Sequence, residues 1–154
     1  MEAPHREEIE SFVGKNANYY IGKWGEKQEG GPFNWASFFM TAPWALYRKM
    51  YQLGFGFLIF GFILSYIPIP RGVNLIIQFA VACIFGAYGN QWYYSHFQNI
   101  SAELRSRNLT EVEYLKELKH RGGTTYGIPL AIFGGIVLVA IVIATIKVLG
   151  RRGI

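Results

Sequence analysis

The chain has 154 residues, 51% hydrophobic and 17% aromatic, with a formal net charge of +5. That length supports one domain over residues 1–154 rather than two. Only Arg71 is charged between Lys49 and Glu103, and nothing is between Arg121 and Lys147, which excludes a soluble domain with scattered charge and points to a membrane.

Residues 5–24 read as one cytoplasmic amphipathic helix. Ile9, Phe12, Val13, Tyr20 and Trp24 fall at helical spacing, and Glu7 and Glu8 sit in the first turn, where the helix dipole favours acids. Glu7, Glu8 and Glu10 disfavour an anionic bilayer surface, so the stripe is expected to pack on protein. Residues 25–32 (Gly-Glu-Lys-Gln-Glu-Gly-Gly-Pro) are a linker by composition.

Asn34 is placed to cap the next helix. Residues 33–47 span about 22 Å as a helix, short of a hydrocarbon core of about 30 Å, and Pro43 interrupts them. Residues 33–50 therefore read as an aromatic interfacial or re-entrant segment. Trp35, Trp44 and Tyr47 are its expected anchors at the headgroups, with Arg48 and Lys49 snorkelling to the cytoplasmic surface.

Residues 53–67 form the first expected transmembrane helix, ended by Pro68 and Pro70. The short turn that follows makes residues 73–94 an antiparallel second span. Trp92, His96, Ile100 and Leu104 keep helical spacing and carry that helix to about residue 105. Residues 110–120 are a cytoplasmic helix that opens on a capping box, Thr110-Glu-Val-Glu113, and closes at Gly122-Gly123. Residues 128–149 form the third span. Lys and Arg number eleven on one side of this three-span layout and four on the other, which puts the N-terminus in the cytoplasm. The basic tail is the discordant part.

The fold class is thus all-α integral membrane, with three transmembrane helices. Phe12-Val-Gly-Lys-Asn-Ala-Asn-Tyr-Tyr20, Trp24, Asn34-Trp-Ala-Ser-Phe-Phe39, Pro43-Trp44 and Tyr47-Arg-Lys-Met50 resemble a family of small bacterial membrane proteins. The family is catalogued as domain of unknown function 2628. Asn90, Tyr94, His96 and Gly122-Gly-Thr124 resemble its pattern too. Met40-Thr41-Ala42 stands where members tend to have further aromatics and a glycine. The resemblance implies a bacterial inner-membrane location and no chemistry.

Candidate sites are few. The lone Cys83 excludes an intramolecular disulfide, and all ten acids are glutamates, which closes any mechanism that needs an aspartate. No catalytic or metal site is expected, and no cofactor. His5, His96 and His120 lack ligand spacing, and Ser11, Ser37 and Ser101 lack a nucleophile context. Asn74, Gln78, Asn90 and Gln91 are polar at membrane depth, as interhelical hydrogen bonding or a transport path requires. Ala82 and Gly86, and then Gly127, Ala131 and Gly135, step by four and permit close helix approach to a mate in this chain or another. Trp92, Tyr93, Tyr94 and His96 join Trp44, Tyr47 and Tyr51 as an interfacial belt or a docking platform.

The expected partners are the lipid bilayer and other integral membrane proteins or a second copy, with no nucleic acid, because no basic stripe is present. The function this favours is a non-enzymatic accessory or scaffold subunit of an inner-membrane complex. A small oligomeric transporter, channel or lipid-handling protein is the alternative.

Overall fold

A computed structural model describes residues 6–24 and 33–151; the linker expected over 25–32 and the last residues of the basic tail lie outside them. All the described elements are helices: α1 (Arg6–Val13), α2 (Ala17–Trp24), α3 (Trp35–Tyr47), α4 (Tyr51–Ser65), α5 (Arg71–Arg105), α6 (Glu111–Arg121) and α7 (Gly127–Arg151). The chain divides into two compact units, Met1–Thr124 and Thr125–Ile154, where the composition reads as one domain.

The first unit is built around α5. Its lower half packs with α1, α2 and α6 about an aromatic core. Phe12, Tyr20, Trp24, Trp44, Tyr93, Tyr94 and Phe97 are all buried there, with Leu104, Tyr114 and Leu118. Ring centroids within it lie as close as 4.9 Å for Tyr20 and Trp24 and 5.1 Å for Tyr20 and Tyr93. The amphipathic stripe of residues 5–24 faces this core, with Ile9, Phe12, Val13, Tyr20 and Trp24 buried.

That stretch is two helices and not one. Gly14 and Asn16 both take positive φ, 64° and 72°, and the Gly14 N–H closes α1 on the Glu10 carbonyl at 3.1 Å. Glycine reaches this region without a Cβ penalty, and asparagine is among the few side chains that tolerate it. The break folds α2 back on α1, so that a single apolar stripe wraps one core from two directions.

α3 is capped by Asn34, whose side chain accepts the Ser37 N–H at 3.0 Å. It breaks at Thr41, at φ 38° and ψ −115°, two residues before Pro43. It packs against both α4 and α5, which themselves approach closely at few points. The short turn Tyr66–Pro70 therefore does not make the direct α4–α5 hairpin that its length suggests. α3 wedges into the space, and Phe57 reaches across to Phe85 with ring centroids 4.6 Å apart.

α6 opens on the complete capping box expected at Thr110 and Glu113. It ends where the Gly123 N–H donates to the Phe12 carbonyl at 2.5 Å. A Cβ on Gly122 would strike the backbone of Phe12, so the glycine here permits the close approach of α6 to α1.

α5 has 35 residues and rises about 52 Å. Among the described residues it is the one helix long and apolar enough to cross a membrane. α4 and the Gly127–Val139 part of α7 are apolar but shorter. Length and composition thus single out one of the three expected transmembrane helices.

Candidate functional site

After α3 the chain turns over Arg48 and Lys49, with Lys49 at φ 60°. The turn sends the two cations to different places. The Lys49 ammonium donates to the His120 carbonyl at 2.8 Å, in the last turn of α6, where free carbonyls and the helix dipole favour a cation. Partial burial there holds its pKa below the ordinary lysine value.

The Arg48 guanidinium goes inward instead. The residue is 5% exposed, and its Cζ lies 5.0 Å from the ring centroids of Tyr20 and Tyr93 and 5.5 Å from that of Tyr47. Ring faces attract a cation at this range, but they do not replace hydrogen-bond acceptors. Nε and Nη1 are buried without a hydrogen-bond partner, and among the described residues no carboxylate pairs with Arg48. A buried charge left this way costs several kcal/mol, to order of magnitude. Burial also raises the Tyr20 hydroxyl above its ordinary pKa, and the neighbouring Arg48 charge offsets only part of that.

A cavity of about 620 Å³ opens beside this group. Arg48, Lys23, Tyr19, Tyr20, Asn34 and Trp35 are among its lining residues, and none of the described lining residues is acidic. Lys23 holds its ammonium 4.4 Å from the Tyr19 ring centroid. The wall next to α5 is fixed by a buried polar knot. Asn34 Nδ2 donates to Asn90 Oδ1 at 2.7 Å, and the Asn34 N–H donates to the Gly86 carbonyl at 2.7 Å. The Ser37 hydroxyl donates to the Phe85 carbonyl at 2.7 Å. Two glycines let α3 come this close: a Cβ on Gly86 would overlap the Phe33 ring, and one on Gly89 would overlap Ser37.

A second apolar cavity of about 530 Å³ lies among α3, α4 and α5, lined by Thr41, Phe57, Leu64, Gln78 and Ala82 among others. A second buried polar group sits across the core: Glu8, 3% exposed, is held by Arg105 and accepts from the Tyr114 hydroxyl at 2.7 Å. Among the described residues no three of His, Cys, Asp and Glu gather as metal ligands.

The polar residues expected on the second span do not converge. Gln78 donates to Asn74 at 3.1 Å on an exposed face, Gln91 is exposed, and Asn90 is locked into the Asn34 knot. Of the small residues, Gly86 is buried under Phe33, Ala82 is half-buried, and Gly127, Ala131 and Gly135 are exposed.

The expected anchors need correction. Trp44, Arg48, Tyr93 and Tyr94 lie inside the protein core and not at a surface, because an aromatic cluster beside an apolar helix has the same composition whether it meets headgroups or other helices. Tyr47, Lys49, Trp92 and His96 are half-buried, and Trp35 alone of the group is fully on the surface. The roles of Tyr19, Tyr20 and Lys23 at the cavity, of Ser37 in the polar knot, and of Glu8, Ser101, Arg105 and Tyr114 across the core, do not emerge from spacing. The one local sign was Lys23 four residues after Tyr19 on a helix.

A family model described as a protein of unknown function, DUF2628, matches residues 10–98. The chain belongs to the DUF2628 family. No curated protein and no solved structure matches it. The DUF2628 match runs from within α1 to within α5 and takes in Lys23, Asn34, Ser37, Arg48, Asn90 and Tyr93. Glu8, Arg105, α6 and α7 fall outside it, as does Gly122-Gly-Thr124.

Proposed function

We propose that this chain is a multi-pass integral membrane protein with three transmembrane helices, supplied by α4, the first half of α5 and α7. In this reading it sits in a bacterial inner membrane with its N-terminus in the cytoplasm. It serves there as a non-enzymatic accessory or scaffold subunit of a larger complex.

The observation that carries the membrane reading is the distribution of exposed apolar surface. In α4 only Gly54 is buried, and Phe55, Ile59, Phe60, Phe62 and Ile63 are open. The band continues over Leu75, Ile76 and Phe79 at the start of α5. Water-soluble monomers rarely leave so large a continuous apolar surface uncovered. α4, with 15 residues, rises about 22 Å and would need local bilayer thinning or flanking residues to span.

The partner reading rests on α7. Leu130, Phe133 and Leu138 are exposed, and so are Gly127, Ala131 and Gly135. A step-of-four run of small residues on an open apolar helix suits close packing against a helix of another chain. The alternative, a small oligomeric transporter, channel or lipid-handling protein, rests on Asn74, Gln78, Asn90 and Gln91.

The test is extraction in mild detergent from native membranes, followed by native gel and mass spectrometry of the wild type and of Ala131→Leu with Gly135→Leu. A stoichiometric complex that the double variant disrupts is the expected result. A wild type that migrates only as a monomer would overturn the subunit reading.

A further inference from the structure

The cavity beside Arg48 joins several features that an ordinary packed core lacks. Its floor is a buried guanidinium with two unpartnered nitrogens. Its wall carries a second cation, Lys23. Among the described residues no acidic one lines it. The Tyr19 hydroxyl accepts from Asn90 Nδ2 at 3.5 Å, which leaves its own proton to donate. Phe33 and Trp35 line the same cavity and are 36% and 64% exposed, an apolar margin next to a cationic floor.

We propose that this cavity binds a phosphate group, carried either by an anionic lipid headgroup or by a water-soluble phosphate ester. Arg48 and Lys23 are its cations, and the Tyr19 hydroxyl is a neutral donor. Phosphate matches the site because it brings negative charge and several acceptor oxygens to two cations and a hydroxyl. An arginine is suited to a buried anion contact because it stays charged and its donors are fixed in a plane. The tyrosine rings around Arg48 attract its charge by cation–π contact, and Nε and Nη1 keep their N–H groups unpartnered. Phe33 and Trp35 would meet the less polar part of the ligand. The proposal goes beyond the partner reading and does not depend on it, since it concerns α2, α3 and the α3–α4 turn rather than α7.

The experiment uses the full chain in a neutral detergent. Thermal stability is followed while phosphatidic acid in mixed micelles, or glycerol 3-phosphate in water, is titrated in. Wild type is compared with Arg48→Gln, Lys23→Gln and, as a control of equal charge change on an exposed residue outside the cavity, Lys15→Gln. A saturable rise in melting temperature is expected for the wild type and for Lys15→Gln. Lys23→Gln should bind about tenfold more weakly, and Arg48→Gln should lose the response. If Arg48→Gln fails to fold, Lys23→Gln against Lys15→Gln decides. Response to glycerol 3-phosphate identifies a soluble ester site, and response to the lipid alone identifies a headgroup site. Absence of any saturable response in the wild type, or equal weakening in Lys23→Gln and Lys15→Gln, would overturn the proposal.

Discussion

Glu8 sits where α1, α5 and α6 meet, and its burial is tolerable only because of what surrounds it. Arg105 pairs with its carboxylate, and the Tyr114 hydroxyl donates to it at 2.7 Å. Since that hydroxyl spends its proton on Glu8, the 2.8 Å bond to Ser101 must have the serine donating. Tyr114→Phe removes both bonds and leaves a buried acceptor short of a donor, which should cost about 1–3 kcal/mol. A pH signature accompanies it. Burial, reinforced by the donation to Glu8, raises the Tyr114 pKa above its ordinary 10.0 although the Ser101 bond pulls it down. The folded state therefore holds this proton more tightly than the unfolded chain. The stability it contributes is full below about pH 10 and is lost as pH rises through the folded value. Tyr114→Phe should be less stable than wild type near neutrality and should lose less on going from about pH 9 to 11. Tyr20, raised by burial as well, will keep some alkaline slope in the variant. Melts across that range check it, and parallel slopes for the two proteins would remove Tyr114 as a source.

At the scale of elements, the break in α3 decides how that helix meets α4 and α5. A residue at φ 38° inside a helix is strained unless it is glycine. The strain at Thr41 is worth about 1–3 kcal/mol, against about 0.5–1 kcal/mol of extra backbone entropy lost by a glycine. Thr41→Gly should therefore stabilise the fold by about 1 kcal/mol, seen as a higher melting temperature with unchanged near-UV dichroism. A lower melting temperature would mean that the Thr41 side chain contributes more than its backbone costs. Much at this scale was legible in the sequence. Trp92, His96, Ile100 and Leu104 at helical spacing mark the run of α5 past the apolar segment, Thr110 and Glu113 mark the start of α6, and Asn34 marks the start of α3. The Gly14–Asn16 break carried its own local sign, yet the apolar periodicity of residues 5–24 continues through it and hides it. Arg48 was illegible for a different reason. Next to Lys49 and after an aromatic run, a snorkelling arginine and a buried one look alike, and only the third dimension shows Tyr20 and Tyr93 closing over it.

At the scale of the molecule, the two units divide the work of folding unequally. Among the described residues the buried core runs from Ile9 to Leu118 and draws its members from the first unit. The second unit is one helix of 25 residues whose described apolar side chains are largely exposed. A lone helix gains most of its stability from what it packs against, so in the membrane-subunit reading proposed above α7 rests on a bilayer or another chain, whereas the described residues of the first unit carry a core of their own. Truncation after Thr124 should therefore leave that core intact. Trp24, Trp35, Trp44 and Trp92, which are all of the tryptophans, lie in the retained part. Their fluorescence and the near-UV aromatic signal in detergent should stay close to those of the full chain, with a melting temperature within a few degrees, roughly what a change under 1 kcal/mol produces. Co-migration with a larger complex should be lost in the same sample, because the open small-residue helix is gone. Loss of the aromatic signal on truncation would show that the core needs α7 after all. Retention of the complex would move the partner surface onto the first unit, where the exposed band of α4 and the start of α5 becomes its candidate.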